Sequence, residues 1–267
     1  MEIICYSCGR GEHPENTIEG IRHCQKINPD WRIEMDLQMT QDGQIILFHD
    51  YETERTTGVK NKVQEMDLGS VKKLNSGHNF KVGADFPYRK NPTKIPTLEE
   101  VCQEFPKAKL LLDVHTNNLS AIDKIIGIIE RNGMEKQIVV VSHYDKVSAE
   151  FKTKRPNWEY GTATKEVKNM VYSSFLFLDS FFPIKSDILM LPVKFGSIKL
   201  LTKRVVKHVK KRDKRLWAWL NEGKEVITIN SKRDLDELEK NGVDGIFTEF
   251  PAKLNGEITV ANNVYKT

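Results

Sequence analysis

Glu34 and Asp36 are separated only by Met35 in the run Arg32-Ile33-Glu34-Met35-Asp36-Leu37. Side chains two apart on a strand share a face, so both carboxylates point the same way. Two acids on an inward face cannot both stay ionised in a dry core without compensation, and a cation between them is the natural resolution. The same spacing also occurs in surface acids on an exposed strand. Asp113 tips the balance, because it ends the apolar run Leu110-Leu111-Leu112 and needs a partner as well. Three carboxylates converging on one mouth suit a hard divalent ion, Mg2+ or Ca2+, with water and phosphate oxygens completing the shell. Zinc would call for more His or Cys among the ligands.

Other groups with chemical potential fall near these acids in the pattern. His49 follows the apolar run Ile45 to Phe48, and an imidazole beside metal-binding acids suits a general acid or base. Arg10 lies in the glycine-flanked turn Gly9-Arg10-Gly11 after the first apolar run and offers a guanidinium for bidentate phosphate binding. Pro14 to Thr17 also read as the start of a helix. His115 shares a strand face with Asp113, as a phosphate contact, a further metal ligand or a hydrogen-bond partner of one. Trp217 and Trp219 share a face of a later strand, and core packing accounts for one of them.

These residues require a scaffold that brings distant segments together. Short apolar runs alternate with helical patterns along the chain, the signature of repeated strand-helix units over a parallel sheet. Eight strands are expected, at Ile3–Ser7, Arg32–Gln38, Lys109–His115, Gln137–Ser142, Trp158–Thr162, Asp187–Val193, Leu216–Leu220 and Gly245–Thr248. Eight such units close most simply into an α/β (β/α)8 TIM barrel, although an open doubly wound sheet has the same local pattern. The 267 residues fit one domain of that kind. Residues 50–96 break the rhythm, being polar and rich in Gly and Pro, and read as an insertion after the second strand at the face where barrels build active sites. The tail after Leu254 reads as loosely held.

Composition excludes several classes. Forty-one basic residues against 37 acidic ones leave a net charge of +4, too little for a nucleic-acid partner. The basic run Lys203 to Lys214 reads as the solvated face of a helix. No stretch is apolar enough to span a bilayer and no signal peptide is visible, so a cytoplasmic protein without an integral membrane segment is expected. Cys5, Cys8, Cys24 and Cys102 read as small buried thiols, since Cys5 and Cys8 on one strand would point to opposite faces.

From Ile3 to Pro251 the chain resembles the glycerophosphodiester phosphodiesterase family. The resemblance rests on Pro14-Glu15-Asn16-Thr17, Glu34-Met35-Asp36 with Thr40-Gln41-Asp42-Gly43, Phe48-His49-Asp50 with Arg55-Thr56-Thr57, Ile95-Pro96-Thr97-Leu98-Glu99-Glu100, Trp217-Ala218-Trp219 and Gly242-Val243-Asp244-Gly245-Ile246-Phe247-Thr248, all in order. It implies a barrel, a divalent ion held by Glu34, Asp36 and Asp113, and hydrolysis of a small-molecule glycerol phosphodiester to glycerol 3-phosphate and an alcohol. It further implies that His49 is one of two catalytic histidines, and that Glu15 and Trp219 contact substrate.

Three departures cluster at the same place. The family's His-Arg-Gly reads Gly9-Arg10-Gly11, the lysine usually found two residues after the third acid is His115, and the tryptophan motif continues as Leu220-Asn221. Three readings follow. His13 reaches back to replace the missing imidazole, or turnover proceeds with the metal, Arg10 and His49 alone, or a catalytically silent barrel binds a phosphate ester or a protein partner.

Overall fold

The computed structural model describes residues 1–176, 178, 183–222 and 226–264. Ten strands form one sheet: β1 (Glu2–Cys5), β2 (Arg32–Met39), β3 (Ile45–Leu47), β4 (Lys109–Val114), β5 (Ile138–Val141), β6 (Glu159–Tyr160), β7 (Ile188–Phe195), β8 (Ile198–Lys199), β9 (Arg215–Glu222) and β10 (Gly245–Thr248). Their spatial order is β6-β5-β4-β2-β1-β10-β9-β7-β8, with β3 paired to β2. All eight expected strands are present and pair in parallel, while β3 and β8 are antiparallel additions to β2 and β7. The sheet curls until its two ends approach. An isolated parallel bridge joins Gly161 to Ile188, and the Thr162 amide donates to Ile188 O at 3.0 Å.

A helix follows each of the eight parallel strands, at Ile18–Ile27, Leu98–Glu104, Ser120–Arg131, Asp145–Lys154, Thr164–Phe175, Lys203–Lys210, Lys232–Lys240 and Pro251–Val264. Local chemistry sets several starts. Thr17, Thr202 and Ser231 accept amide hydrogens at helix N-termini, and Thr97 forms a reciprocal capping box with Glu100. Of the tail after Leu254, expected to be loosely held, the residues as far as Val264 are helical, with Ile258 packed against the core and Glu257 accepting from the Lys232 amide, and 265–267 lie outside the described residues.

Because the parallel strands are covered on one face by helices and fill the curl with the other, they are apolar on both. Ile33, Met35, Leu110, Leu112, Ile138 and Val140 pack outward under the helices. Ile4, Leu111, Val139, Ile188, Met190, Trp217 and Phe247 fill the inside. At the N-terminal end of the strands each buried charge is paired. The Arg32 guanidinium donates to Glu2 at 2.7 Å and to the carbonyls of Leu110 and Gln137 at 2.9 Å, and it lies over the Trp217 ring.

The first strand is shorter than expected. It ends at Cys5, and Tyr6–Cys8 form a tight turn with Ser7 at φ 43° and Cys8 at φ 61°, so the chain leaves the sheet before the acids are reached. Cys5 and Cys8 therefore do not share a strand, yet all four cysteines are buried and free as expected.

Residues 50–96 form short helical turns around a small core of their own, in which Val63, Val71 and Ile95 pack on Ile46 and Phe48. The hairpin β2–β3 thus anchors the insertion directly above the strand that carries Glu34 and Asp36.

Trp217 is fully buried and plugs the inside of the curl. Trp217→Ala is expected to lower unfolding free energy by about 3–5 kcal/mol, read as a reduced urea midpoint. A loss under about 1 kcal/mol would mean that the interior does not depend on this plug.

Candidate active site

The geometry at the C-terminal ends of the strands starts from register. Pairing of β2 with β4 sets Asp36 opposite Asp113 and Glu34 opposite Leu111. Side-chain oxygens of Glu34, Asp36 and Asp113 all lie within 4.8 Å of one another, so the three acids singled out in the sequence do converge. Glu34 and Asp36 are each 2% exposed, whereas Asp113 faces the opening.

Local backbone conformations hold the two buried acids. The turn after β1 directs the Ser7 amide onto Glu34 Oε2 at 2.5 Å and places the Ser7 hydroxyl 3.4 Å from Asp36 Oδ2. Asn16 sits at φ 57°, a left-handed conformation that Asn tolerates better than most residues. From there its amide nitrogen donates to Asp36 Oδ2 at 2.7 Å, and its amide oxygen accepts from the Asp36 backbone N–H at 3.0 Å. Asn16 and Ser7 were not assigned site roles from sequence. Asn16 lies in the Pro-Glu-Asn-Thr motif, which was the available signal, while nothing in the sequence marked Ser7.

Electrostatics follow from this packing. Burial pushes the Glu34 carboxyl well above the usual range, and the nearby charges of Asp36 and Asp113 push it further. Burial would raise Asp36 too, but His115 and Asn16 outweigh it and hold Asp36 below its ordinary value. His115 Nε2 lies 3.1 Å from Asp36 Oδ1 and 3.4 Å from Asp113 Oδ2. Burial alone would lower His115, but Asp113 and then Asp36 raise it to about 11, so the imidazolium is a counterion between the two carboxylates. Asp113 Oδ1 is buried and accepts no hydrogen bond among the described residues. A buried carboxylate oxygen without a donor, beside two further acids, fits a hard cation bound by Glu34, Asp36 and Asp113.

His49 stands beside this cluster, its ring 4.6 Å from that of His115. Its Nδ1 is 2.6 Å from Asp50 Oδ1, and Arg55 Nε donates to Asp50 Oδ2 at 2.5 Å. Arg55 in turn donates both terminal nitrogens to Glu15, at 2.8 and 2.6 Å. Glu15, expected to contact substrate, thus has both oxygens taken by Arg55, and the series Glu15–Arg55–Asp50–His49 ties the first loop and the insertion to the imidazole. Burial opposes the ionisation of Asp50, yet His49 and Arg55 pull it down to about 2. The bond to Asp50 raises His49 from its usual range against the opposing effect of burial.

The remaining candidates divide. Trp219 lines a cavity of about 480 Å3 that also touches Glu34, Asp113, Tyr6 and His143. Arg10 lies over the Tyr6 ring and pairs with Glu249 at 2.5 Å, at the edge of the same mouth. His13 is not brought to the acids. The turn at Gly9 sends it outward, where it bonds the Tyr88 hydroxyl at 2.9 Å and packs on His23.

Gly9 itself has φ +75°, and a Cβ there would meet Cys24 Sγ and Pro251 Cγ at 3.1 Å. A side chain at this position points into helix packing rather than at the acids.

Comparison with known proteins places these features in context. The model of the "Glycerophosphoryl diester phosphodiesterase family" matches residues 9–253. A glycerophosphodiester phosphodiesterase from Caldanaerobacter subterraneus is 27% identical over 247 residues, covering 90% of each chain. A human lysophospholipase D is 23% identical, covering 94% of this chain and 84% of the relative. Among solved structures, a glycerophosphoryl diester phosphodiesterase domain from Mycobacterium tuberculosis superposes with a TM-score of 0.77 at 16% identity, covering 100% of this chain and 99% of that one. A phosphodiesterase from Oleispira antarctica, solved with the product sn-glycerol-3-phosphate, gives 0.74 at 19% identity and 97% coverage of both chains.

Two outcomes test this geometry. Glu34→Gln removes a repelled buried charge while keeping an acceptor for the Ser7 amide. It is expected to raise the melting temperature of the metal-free protein by about 2–4 °C, the shift that about 1 kcal/mol gives in a large domain, and to abolish the stabilisation that added Ca2+ or Mg2+ gives the parent. Gly9→His, which introduces the residue that the resemblance implies at this position, is expected to cost about 1–3 kcal/mol because of the left-handed backbone and the two close contacts, without raising activity. A more active, equally stable Gly9→His protein would refute the orientation assigned to this position.

Proposed function

The chain belongs to the glycerophosphoryl diester phosphodiesterase family, and on that premise we propose that it is a metal-dependent hydrolase that cleaves a glycerol phosphodiester to glycerol 3-phosphate and an alcohol. The carrying observation is the convergence of Glu34, Asp36 and Asp113 beside an imidazole whose orientation is fixed by a carboxylate. We read the curled sheet as a (β/α)8 barrel formed by the chain as a single domain. The bridge between its two ends and the superposition on barrel enzymes of this family support that reading.

The mechanism follows from which atoms are already engaged. Glu34, Asp36 and Asp113 would hold the divalent ion, Mg2+ or Ca2+, which when bound neutralises phosphate charge and lowers the pKa of an attacking oxygen. Asp50 fixes His49 through Nδ1, leaving Nε2 as the atom that gives or takes a proton at the reacting oxygens. Arg10, at the edge of the mouth, holds a phosphate oxygen by a charge-assisted bond. Trp219 and Tyr6 shape the wall against which the organic part of the substrate rests. With no imidazole at position 9 and His13 turned away, His49 carries the proton work that the family divides between two histidines.

A second observation bears on the substrate. Beyond the acids and their strand partners the cavity is lined by Val171, Met190, Phe195, Ile198 and Leu200, an apolar wall larger than a glycerol or choline moiety needs. It favours a diester that retains a hydrocarbon chain, in line with the name of the human lysophospholipase D relative.

The test is metal-dependent release of product from glycerophosphocholine and from lysophosphatidylcholine. His49→Ala is expected to lower kcat/KM by about 10²- to 10⁴-fold, Glu34→Ala to abolish turnover, and His13→Ala to leave kcat close to that of the parent. The apolar wall predicts a higher kcat/KM for the acylated substrate. No release from either diester by a protein that still binds the ion would favour the catalytically silent barrel.

A further inference from the structure

The three acids are not the only ligand set at the mouth. Asp36, His49 and His115 also offer one donor atom each, all within 4.8 Å of one another. This set contains two nitrogens and one oxygen, whereas Glu34, Asp36 and Asp113 offer oxygen alone. Hard ions prefer the second, and borderline ions prefer the first. We propose that Asp36, His49 and His115 form a second cation site, selective for a borderline transition ion such as Zn2+, that shares Asp36 with the all-oxygen set.

Three features of the site carry this. His49 is already oriented as a ligand: its Nδ1 is engaged by Asp50 at 2.6 Å, and Asp50 is held by Arg55, so Nε2 is the free nitrogen. A carboxylate on the far nitrogen is the usual support of a metal-bound imidazole. His115 Nε2 lies 3.1 Å from Asp36 Oδ1, close to the ~3.4 Å between ligand atoms of a tetrahedral zinc with Zn–N near 2.1 Å. Finally, three protein ligands leave a four-coordinate ion one open position, and a further imidazole, His143, has its ring 5.4 Å from that of His115. The site depends on His115, which stands where the resemblance implies a lysine: an imidazole nitrogen can bind the ion once Zn2+ displaces the proton now shared with Asp36 and Asp113.

On the reading that His49 Nε2 moves the proton during turnover, an ion held here occupies that atom and half of the shared Asp36. Zinc and turnover then exclude each other, and the departure at position 115 makes the chain sensitive to an ion that the all-oxygen set alone would bind less well.

Binding is read without substrate. Zn2+ titrated into the metal-free protein containing 15N-labelled histidine is expected to shift the Nε2 resonances of His49 and His115 together. Calorimetry is expected to show Zn2+ affinity falling at least about 100-fold in both His115→Lys and His49→Gln, since loss of a supporting partner alone costs 10- to 100-fold. Ca2+ binding should persist in His49→Gln. Unshifted histidine resonances, or Zn2+ affinity retained in both variants, would overturn the site. These readouts hold whether or not the chain hydrolyses a diester, so failure of the zinc site and failure of the hydrolase reading are separate results.

Discussion

Burying two carboxylates side by side on β2 is the constraint around which the mouth of the protein is organised. A carboxylate withdrawn from water must be hydrogen-bonded, paired or neutralised, and Glu34 and Asp36 are 2% exposed. Asp36 receives the fullest compensation: an amide from Asn16, a weak hydroxyl contact from Ser7 and the His115 imidazolium. Glu34 receives one backbone amide and remains pushed towards its neutral form. The opposite end of the strands handles the same problem differently, since Arg32 is matched there by Glu2 and two carbonyls. One end is electrostatically closed, whereas the other leaves Asp113 Oδ1 without a donor among the described residues. That asymmetry is what singles out the C-terminal end of the strands as the candidate site.

The compensation has a conformational cost. Ser7, Cys8 and Asn16 all adopt left-handed backbone angles, which non-glycine residues reach only when surrounding structure holds them there. All three are buried within the first loop, and the strain is concentrated at the segment that touches both acids. The insertion closes the arrangement from the other side. Its Arg55 meets Glu15 from the first loop and Asp50 next to His49, so a charge series spans two segments that share no strand pairing. Arg55 is half exposed, and ion pairs at such positions add little stability. Their value is directional, because they set the orientation of the His49 ring.

Much of this was legible in the sequence, for reasons that differ by residue. All eight parallel strands could be placed because buried parallel strands are apolar on both faces and punctuated by helices. Glu34 and Asp36 alone also fit surface acids on an exposed strand, and the three acids stand out together because Asp113 ends a very apolar run. What the sequence did not show depended on backbone angles and side-chain direction. The end of β1 was placed at Ser7 because Cys-Tyr-Ser-Cys has strand composition, yet the chain turns at Tyr6 to deliver an amide to Glu34. His13 is only four residues from Gly9, and proximity in sequence suggested a replacement imidazole. The turn between them reverses its direction. Glu15 was assigned to substrate from a motif, but the partner that claims it, Arg55, lies forty residues away in a segment without periodicity.

The departures from the family pattern are better understood together than singly. At position 9 the backbone is left-handed and the Cβ direction runs into Cys24 and Pro251, so the turn itself favours glycine. At position 115 an imidazole bridges two of the acids and carries the positive charge that the family places on a lysine. A chain losing its site by drift would have no physical reason to keep three repelling carboxylates together, to hold one of them from both sides with Asn16, or to orient His49 through Asp50 and Arg55. Each of these costs folding energy and gives no packing in return. The mouth thus combines three acids with the cationic side chain of His115 and an imidazole, His49, oriented by Asp50. On the proposed reading the proton-handling His49 lies one ring from the ion-binding acids, and that proximity would couple the chemistry of His49 to whatever ion Asp36 holds.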